Sequence, residues 1–239
     1  MEETERVKEA FTEQALSYTK TMDKELSQFW GISYPQFVDR LVRKAGVMPD
    51  ETVLDIATGT AVIPATLIAE HPYREHVVGL DITPAMLCQG RESLAENQSA
   101  KKVDLVCASA VEMPFANGIF DVIICGLGTH HMNVPRMLEE AKRLLAKDGR
   151  LIISDLGATP FWRRTTGKVL LKLLMLEYGF VNRRSRSRAE IEAFKNVRTA
   201  QEWLEMLKDF GFIKIRIEDI RPRLPWFPSG LTLQAVIAK

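Results

Sequence analysis

The chain has 239 residues, 46% hydrophobic and 26% charged, with 32 Lys and Arg against 31 Asp and Glu. That length holds a substantial core with room for an elaboration, and the composition is that of a soluble globular protein. A net charge of +1 excludes a surface built for non-specific nucleic-acid binding, which needs a marked basic excess. The apolar run over 169–176 is interrupted by Lys172, so no uncharged stretch reaches membrane-spanning length. The acidic opening Met1-Glu2-Glu3-Thr4-Glu5 lacks the pattern of a signal peptide. Cys88, Cys107 and Cys125 have no metal-ligand spacing and read as reduced core residues in a cytoplasmic setting.

Along the chain, Val7, Phe11, Ala15, Tyr18, Met22, Leu26 and Phe29 recur at three- and four-residue steps. That spacing predicts an N-terminal amphipathic helix, broken once. A second helix is expected over 35–45, opening on proline and stopping before Gly46. Strands are expected over 52–57, 77–81, 104–109, 122–127 and 150–156, with helices over 64–70, 84–97 and 135–146 and a loop over 111–120. Continuous Val/Ile/Leu strands alternating with helices predict an α/β fold with a mostly parallel sheet covered on both faces. Residues 160–198 are helical in tendency, leucine-rich and basic. A last helix over 199–210 stops at Gly211, and strands over 212–220 and 231–238 with a short proline-rich connector suit an antiparallel pair.

The most informative stretch is 52–61, Thr-Val-Leu-Asp-Ile-Ala-Thr-Gly-Thr-Ala. An apolar strand carries Asp55 near its end, then breaks into a loop of small residues around Gly59. Such a loop lets backbone approach a nucleotide-like ligand. Val77-Val78-Gly79-Leu80-Asp81 repeats the idea, with a carboxylate placed to accept hydrogen bonds from ribose hydroxyls. The strand over 122–127 ends in Leu127-Gly128-Thr129-His130-His131, where ligands meet the carboxyl ends of strands in an open α/β sheet. Histidine has an unperturbed pKa near neutrality, which suits two of them there to general-base work, with His130 the first candidate and His131 the second.

These blocks, with Met113-Pro114-Phe115, Phe120-Asp121 and Leu144 to Leu151, follow one another at intervals that resemble a class I S-adenosylmethionine-dependent methyltransferase. The chain is most similar to the small-molecule methyltransferases of ubiquinone and menaquinone biosynthesis, and the Phe11, Ala15, Tyr18 spacing resembles that type too. The resemblance implies a doubly wound, seven-stranded Rossmann-like sheet with N-terminal helices and a helical lid. It implies S-adenosylmethionine as cofactor and S-adenosylhomocysteine as product. Asp55 and the Ala57, Thr58, Gly59 backbone would hold the methionine end, Asp81 the ribose, and Ile82 the adenine face. Ser109 and Ala110 stand where the family commonly has an adenine-binding acid, so a hydroxyl or backbone group must serve. Ala57 and Ala61 replace loop glycines; Ala57 should be tolerated, whereas Ala61 would crowd the carboxypropyl group.

A nicotinamide Rossmann domain fits less well, because only Gly59 lies between Asp55 and Pro64. No Asn/Asp-Pro-Pro-aromatic sequence follows the fourth strand, which argues against nucleobase methylation. The expected organisation is one methyltransferase domain: N-terminal helices over 1–46, a cofactor-binding core over 47–157, a lid over 158–198, and a C-terminal helix and strand pair over 199–239. In the lid, Leu170, Leu171, Leu173, Leu174, Met175, Tyr178 and Phe180 would line an apolar pocket or form a core face. Arg163, Arg164, Lys168, Lys172, Arg183, Arg184, Arg186 and Arg188 would face solvent, an acidic ligand or anionic lipid headgroups. Trp162, Trp226 and Phe227 are candidate pocket walls. The expected partner is a small molecule, aromatic or lipophilic, methylated at oxygen or carbon, with no nucleic acid and no metal. Two alternatives stand beside this: a cofactor-retaining rearrangement enzyme, and a non-catalytic subunit on the same scaffold.

Overall fold

A computed structural model describes residues 3–71, 76–165, 167, 169, 189, 193–224 and 226–238. Its strands are β1 (Val53–Ile56), β2 (Val77–Asp81), β3 (Val103–Cys107), β4 (Phe120–Gly126), β5 (Leu145–Gly157), β6 (Phe212–Ile220) and β7 (Ser229–Ile237). They form one sheet in the order β3-β2-β1-β4-β5-β7-β6. Neighbours from β3 through β5 are parallel, and β7 runs antiparallel to both β5 and β6. The strand order reverses between β1 and β4, which is where such a sheet opens a crevice for ligands.

Successive strand residues alternate between two apolar layers. Val53, Val122, Ile124 and Ile152 face a core shared with α2 (Tyr18–Trp30), α3 (Tyr34–Ala45), α4 (Val62–Glu70) and α5 (Pro84–Glu96). Leu54, Ile56, Ile123, Cys125, Leu151 and Ile153 face the other core, shared with α6 (Val134–Leu144) and with the helix at Ala200–Asp209, the last in the chain. α6 shows why a helix forms: Val134, Met137, Leu138, Ala141 and Leu144 make one buried stripe, while Asn133 caps its start by accepting from the Arg136 N–H at 3.2 Å. Ser33 and Gln36 form a reciprocal capping box on α3, and Thr199 and Glu202 do the same for the last helix.

The expected break in the N-terminal helix is a 3₁₀ turn, Ala15–Ser17, between α1 (Glu3–Gln14) and α2. β5 starts earlier than its sequence implies: Leu145 already pairs with Phe120, and the ladder shifts register before Arg150 meets Val122. Asp148 takes a left-handed φ of 60° in that irregular stretch. Of the cysteines only Cys125 is core; Cys88 and Cys107 are exposed, which corrects the reading of all three as buried. Most of the 158–198 stretch, including Leu170 to Phe180 and the basic residues Lys168, Lys172 and Arg183 to Arg188, lies outside the described residues. What is described there includes α7 (Pro160–Arg163), an exposed Arg164, a 3₁₀ turn at Phe194–Asn196, and a small cluster of Ala158, Trp162 and Val197. With α7 counted, the helix at Ala200–Asp209 is α8.

Candidate functional site

The carboxyl ends of β1 to β4 open into a cavity of about 450 Å³. Its floor begins with the loop after β1. Ala57, Gly59 and Ala61 all adopt left-handed backbone, with φ of 56°, 54° and 57°, a conformation that strains an L-residue by roughly 1 kcal/mol or more. The coil folds the loop over β2: the Thr58 N–H donates to the Leu80 carbonyl at 3.0 Å and the Gly59 N–H to Asp81 Oδ2 at 2.9 Å. The Thr83 N–H reaches Asp81 Oδ1 at 2.8 Å. Asp81 is thus fixed on the cavity wall at 8% exposure. Burial lifts its carboxyl above the ordinary value, against the pull of these N–H groups.

Ala57 and Gly59 line the cavity; Ala61 does not. Its methyl is fully buried and turned to α5, where a Cβ on Gly90 would come within 3.1 Å of it. The expected crowding by Ala61 is therefore absent, because the left-handed turn points its side chain away. Ala57 instead packs on the loop after β4, and a Cβ on Gly128 would meet the Ala57 methyl at 2.7 Å. We expect Gly128→Ala to lose about 1–3 kcal/mol by overpacking, and Ala57→Gly to restore most of it, as read from urea denaturation of the single and double variants.

Asp55 sits beneath this floor rather than on it. It is completely buried, and neither carboxylate oxygen has a hydrogen-bond partner; the Thr58 hydroxyl is likewise unsatisfied. Burial drives the Asp55 carboxyl up to about 8, with the nearby Thr58 hydroxyl pulling down and the Asp81 charge adding to the rise. The hydroxyl of Tyr34 is pushed up as well, by burial and by Asp55. Buried acceptors left without a donor in this way favour the protonated carboxyl unless a positive group approaches. Thr58 is directed at Gly79 of β2, where a Cβ would stand 2.8 Å from its Oγ1, and not at the cavity.

The adenine-side expectations, Ile82, Ser109 and Ala110, all line the cavity, as does Leu127. Ser109 Oγ accepts from the Val111 N–H at 3.4 Å. Leu127 is a bulky residue at φ 56°, held by its N–H bond to the Ser154 carbonyl at 2.8 Å; such outliers cluster at sites where structure over-determines the backbone.

The two histidines divide. His130 is buried, and its Nδ1 bonds Asp155 Oδ1 at 2.7 Å. Asp155, on β5 and 2% exposed, also receives the Thr129 N–H at 2.7 Å, the Thr129 hydroxyl and the Leu156 N–H at 2.7 Å. Burial tends to raise the Asp155 carboxyl, but the facing His130 charge and these donors outweigh it and hold it below the carboxylate range. His131 lines the cavity, its ring tilted against that of His130 with centroids 4.2 Å apart and met edge-on by Phe11 at 5.0 Å. The structure brings His131 to the site and keeps His130 behind it, the reverse of the order read from sequence.

The roof is α1, which contributes Thr4, Val7 and Phe11. The periodicity marked Val7 and Phe11 as one helix face without showing what they cover. Sequence reasoning missed Met86, Met132, Asn196 and Arg198, which also border the space. Trp162 packs on Phe194 at 5.3 Å and Phe227 on Phe29 at 5.2 Å, while Trp226 is 46% exposed. None of the three lines the cavity, so their expected place in its wall is not found. Among the described residues there is no group of three His, Cys, Asp or Glu that could hold a metal.

Residues 53–149 match the family model described as a methyltransferase domain. The chain is 27% identical over 183 residues to the ubiquinone/menaquinone biosynthesis C-methyltransferase UbiE of Citrifermentans bemidjiense, covering 75% of this chain and 77% of that protein. It is 26% identical over 200 residues to UbiE of Roseobacter denitrificans, covering 82% and 78% respectively. Among solved structures it resembles geranyl diphosphate C-methyltransferase from Streptomyces coelicolor A3(2), determined with Mg²⁺, geranyl diphosphate and S-adenosyl-L-homocysteine. That likeness has a TM-score of 0.68 at 15% identity and covers 92% of this chain and 83% of that one.

Proposed function

We propose that the chain is a class I S-adenosylmethionine-dependent methyltransferase, as its similarity to the ubiquinone/menaquinone-biosynthesis type supports, and that it methylates a small aromatic or lipophilic acceptor at oxygen or carbon. The observation that carries this reading is the cavity wall beyond Asp81: Val7, Phe11, Leu127 and Met132 make it apolar, and His131 sets one titratable ring among them. An apolar pocket with few placed polar groups is the usual form of a small-molecule site.

The residues fit the cofactor. Asp81 would accept the ribose hydroxyls, Ile82 would lie along the adenine, and Ser109 with the Ala110 backbone would address its edge. The Ala57–Gly59 backbone would face the methionine portion, with Asp55 and Thr58 supporting it from below. When bound, S-adenosylmethionine supplies an electrophilic methyl group, so the protein's task is to align the acceptor and exclude water. A phenol, enol or quinol must also lose its proton. We assign that to His131, with His130 and Asp155 holding it in place. No helix among the described residues is long and apolar enough to cross a membrane; a cytoplasmic setting belongs to this reading, in keeping with three free thiols.

The test is formation of S-adenosylhomocysteine from S-adenosylmethionine with phenolic and quinol acceptors. Conversion of acceptor with no S-adenosylhomocysteine formed overturns methyl transfer. Asp81→Ala is expected to weaken S-adenosylhomocysteine binding by about tenfold or more, the loss of charge-assisted hydrogen bonds, and unchanged calorimetric affinity contradicts its role. His131→Ala is expected to lower kcat by about 10²-fold or more. An unaltered rate removes His131 as the base.

A further inference from the structure

The connector between β6 and β7 turns Arg221, Arg223, Leu224 and Trp226 to solvent. Leu224 is 38% and Trp226 46% exposed, whereas Trp30, Trp162 and Trp203 are all buried. The register of the sheet places this connector. Ile220, the last residue of β6, pairs with Gly230, and Ser229, the first of β7, pairs with Gly157 at the end of β5. β5 runs parallel to β4, whose carboxyl end meets the cavity. The connector therefore stands on the same edge of the sheet as the cavity, two to three strand spacings from β4, about 10–15 Å.

Backbone and ring contacts make these side chains a fixed surface. The Arg223 N–H donates to the Phe29 carbonyl at 2.8 Å, and the buried Trp30 donates from Nε1 to the Pro228 carbonyl at 2.9 Å. The Phe227 N–H closes a turn on the Leu224 carbonyl at 3.0 Å. Behind the exposed indole the rings continue inward, with Trp226 and Phe227 at 6.5 Å between centroids and Phe227 and Phe29 at 5.2 Å. So preformed a surface loses little freedom when something is laid against it. Its charge has one sign. No Asp or Glu follows Asp219 in the sequence, and Ser27 to Trp30, the part of α2 that the connector packs on, holds none either. Arg221 stays exposed, and Arg223 does so with its Nη1 3.4 Å from the Ser27 carbonyl.

We propose that the β6–β7 connector is a membrane-docking surface, seating Trp226 and Leu224 at the headgroup level of an anionic bilayer while Arg221 and Arg223 meet its phosphates. An indole suits that level because its body is apolar and its N–H polar. The arginines add attraction to anionic lipid, and such paired signals hold a protein at a surface where one alone does not. A second copy of the chain fits less well, because a two-fold contact here would set these arginines against their own copies. Docking turns the carboxyl edge toward the headgroups, where a lipophilic molecule collects. The surface is separate from the methyl-transfer site: none of its residues lines the cavity.

The test sediments the full chain with vesicles of phosphatidylcholine, with and without phosphatidylglycerol, and follows tryptophan emission. Wild type should bind the anionic vesicles more tightly than the neutral ones and less tightly as salt is raised. Its emission should shift to the blue, a signal that belongs to Trp226 because the other three tryptophans are already buried. Arg221→Gln and Arg223→Gln should each weaken binding about fivefold, and Trp226→Ser about tenfold. Trp226→Phe should keep most of the binding and lose the spectral shift. All four variants should hold S-adenosylhomocysteine as wild type does, which also shows that they fold. No binding of wild type to anionic vesicles, binding without a blue shift, or binding undiminished in the variants overturns the proposal. A blue shift that follows protein concentration without lipid assigns the surface to a second copy and overturns it too. If Trp226→Ser does not fold, the arginine variants and Trp226→Phe still decide.

Discussion

Replacing Asp55 with asparagine will make the ligand-free protein more stable at pH 8 and its hold on S-adenosylmethionine weaker. The carboxyl is fully buried without a hydrogen-bond partner and is lifted from 3.8 to about 8, chiefly by burial. A raised carboxyl works against folding as pH rises. Below about pH 4 the group is protonated in both states and exacts no penalty; between about 4 and 8 the unfolded chain ionises first, and stability falls until the folded group ionises too. The full span corresponds to a penalty on the order of 5 kcal/mol. Urea denaturation of the apoprotein at pH 4, 6 and 8 should show the decline in wild type and a smaller one in Asp55→Asn, where the raised Asp81 carboxyl still contributes. Binding reverses the advantage, because a cationic ligand favours the ionised carboxylate. Cofactor affinity should rise with pH in wild type and be both lower and flatter in the variant. A wild-type apoprotein of constant stability from pH 4 to pH 8 contradicts this account.

The other large effect belongs to Asp155. Asp155→Ala leaves His130 and the Thr129 N–H and hydroxyl without their acceptor in a closed interior, and removal of one partner from such a pair typically loses about 3–5 kcal/mol. The sign with pH is opposite to that of Asp55. Asp155 is held below the ordinary carboxylate range by His130 and its donors despite its burial, so its contribution is present above about pH 4 and is lost as pH falls through the folded value. Wild type should lose stability below pH 4, and Asp155→Asn should lose less there because it has less to lose. The same substitution should lower methyl-transfer rates, since the Thr129–His131 turn carries His131. Denaturation and kcat can be followed on one preparation. A double-mutant cycle with His130→Ala separates the pair's coupling from the loss of either side chain.

The parallel core was legible because its strands are short apolar runs whose alternate residues feed two separate layers, Val53 with Val122 and Leu54 with Ile123. The loop after β1 was legible in composition, though not in direction. Sequence shows an alanine at 61 but not that a left-handed backbone turns its methyl to Gly90. Adjacent histidines look equivalent in a string. Only the pairing of β4 with β5, which sets Asp155 beneath Thr129 and His130, decides which ring is held inside and which meets the cavity. Arg198 was invisible for a related reason. It stands 41 positions beyond Gly157 and reaches the site through one bridge and an indole, neither of which leaves a local pattern.

The roof over the cavity has its own bearing on how the molecule exchanges ligands. From residue 4 to residue 14, Ala10 alone is buried, and the helix ends in the turn at Ala15–Ser17, where Leu16 is 87% exposed. So lightly anchored a segment can peel away while the sheet stays intact, because local opening draws on far less free energy than global unfolding. Residence time then reports the detachment of one short helix, and a variant with a hardened core can be every bit as quick to let its product go.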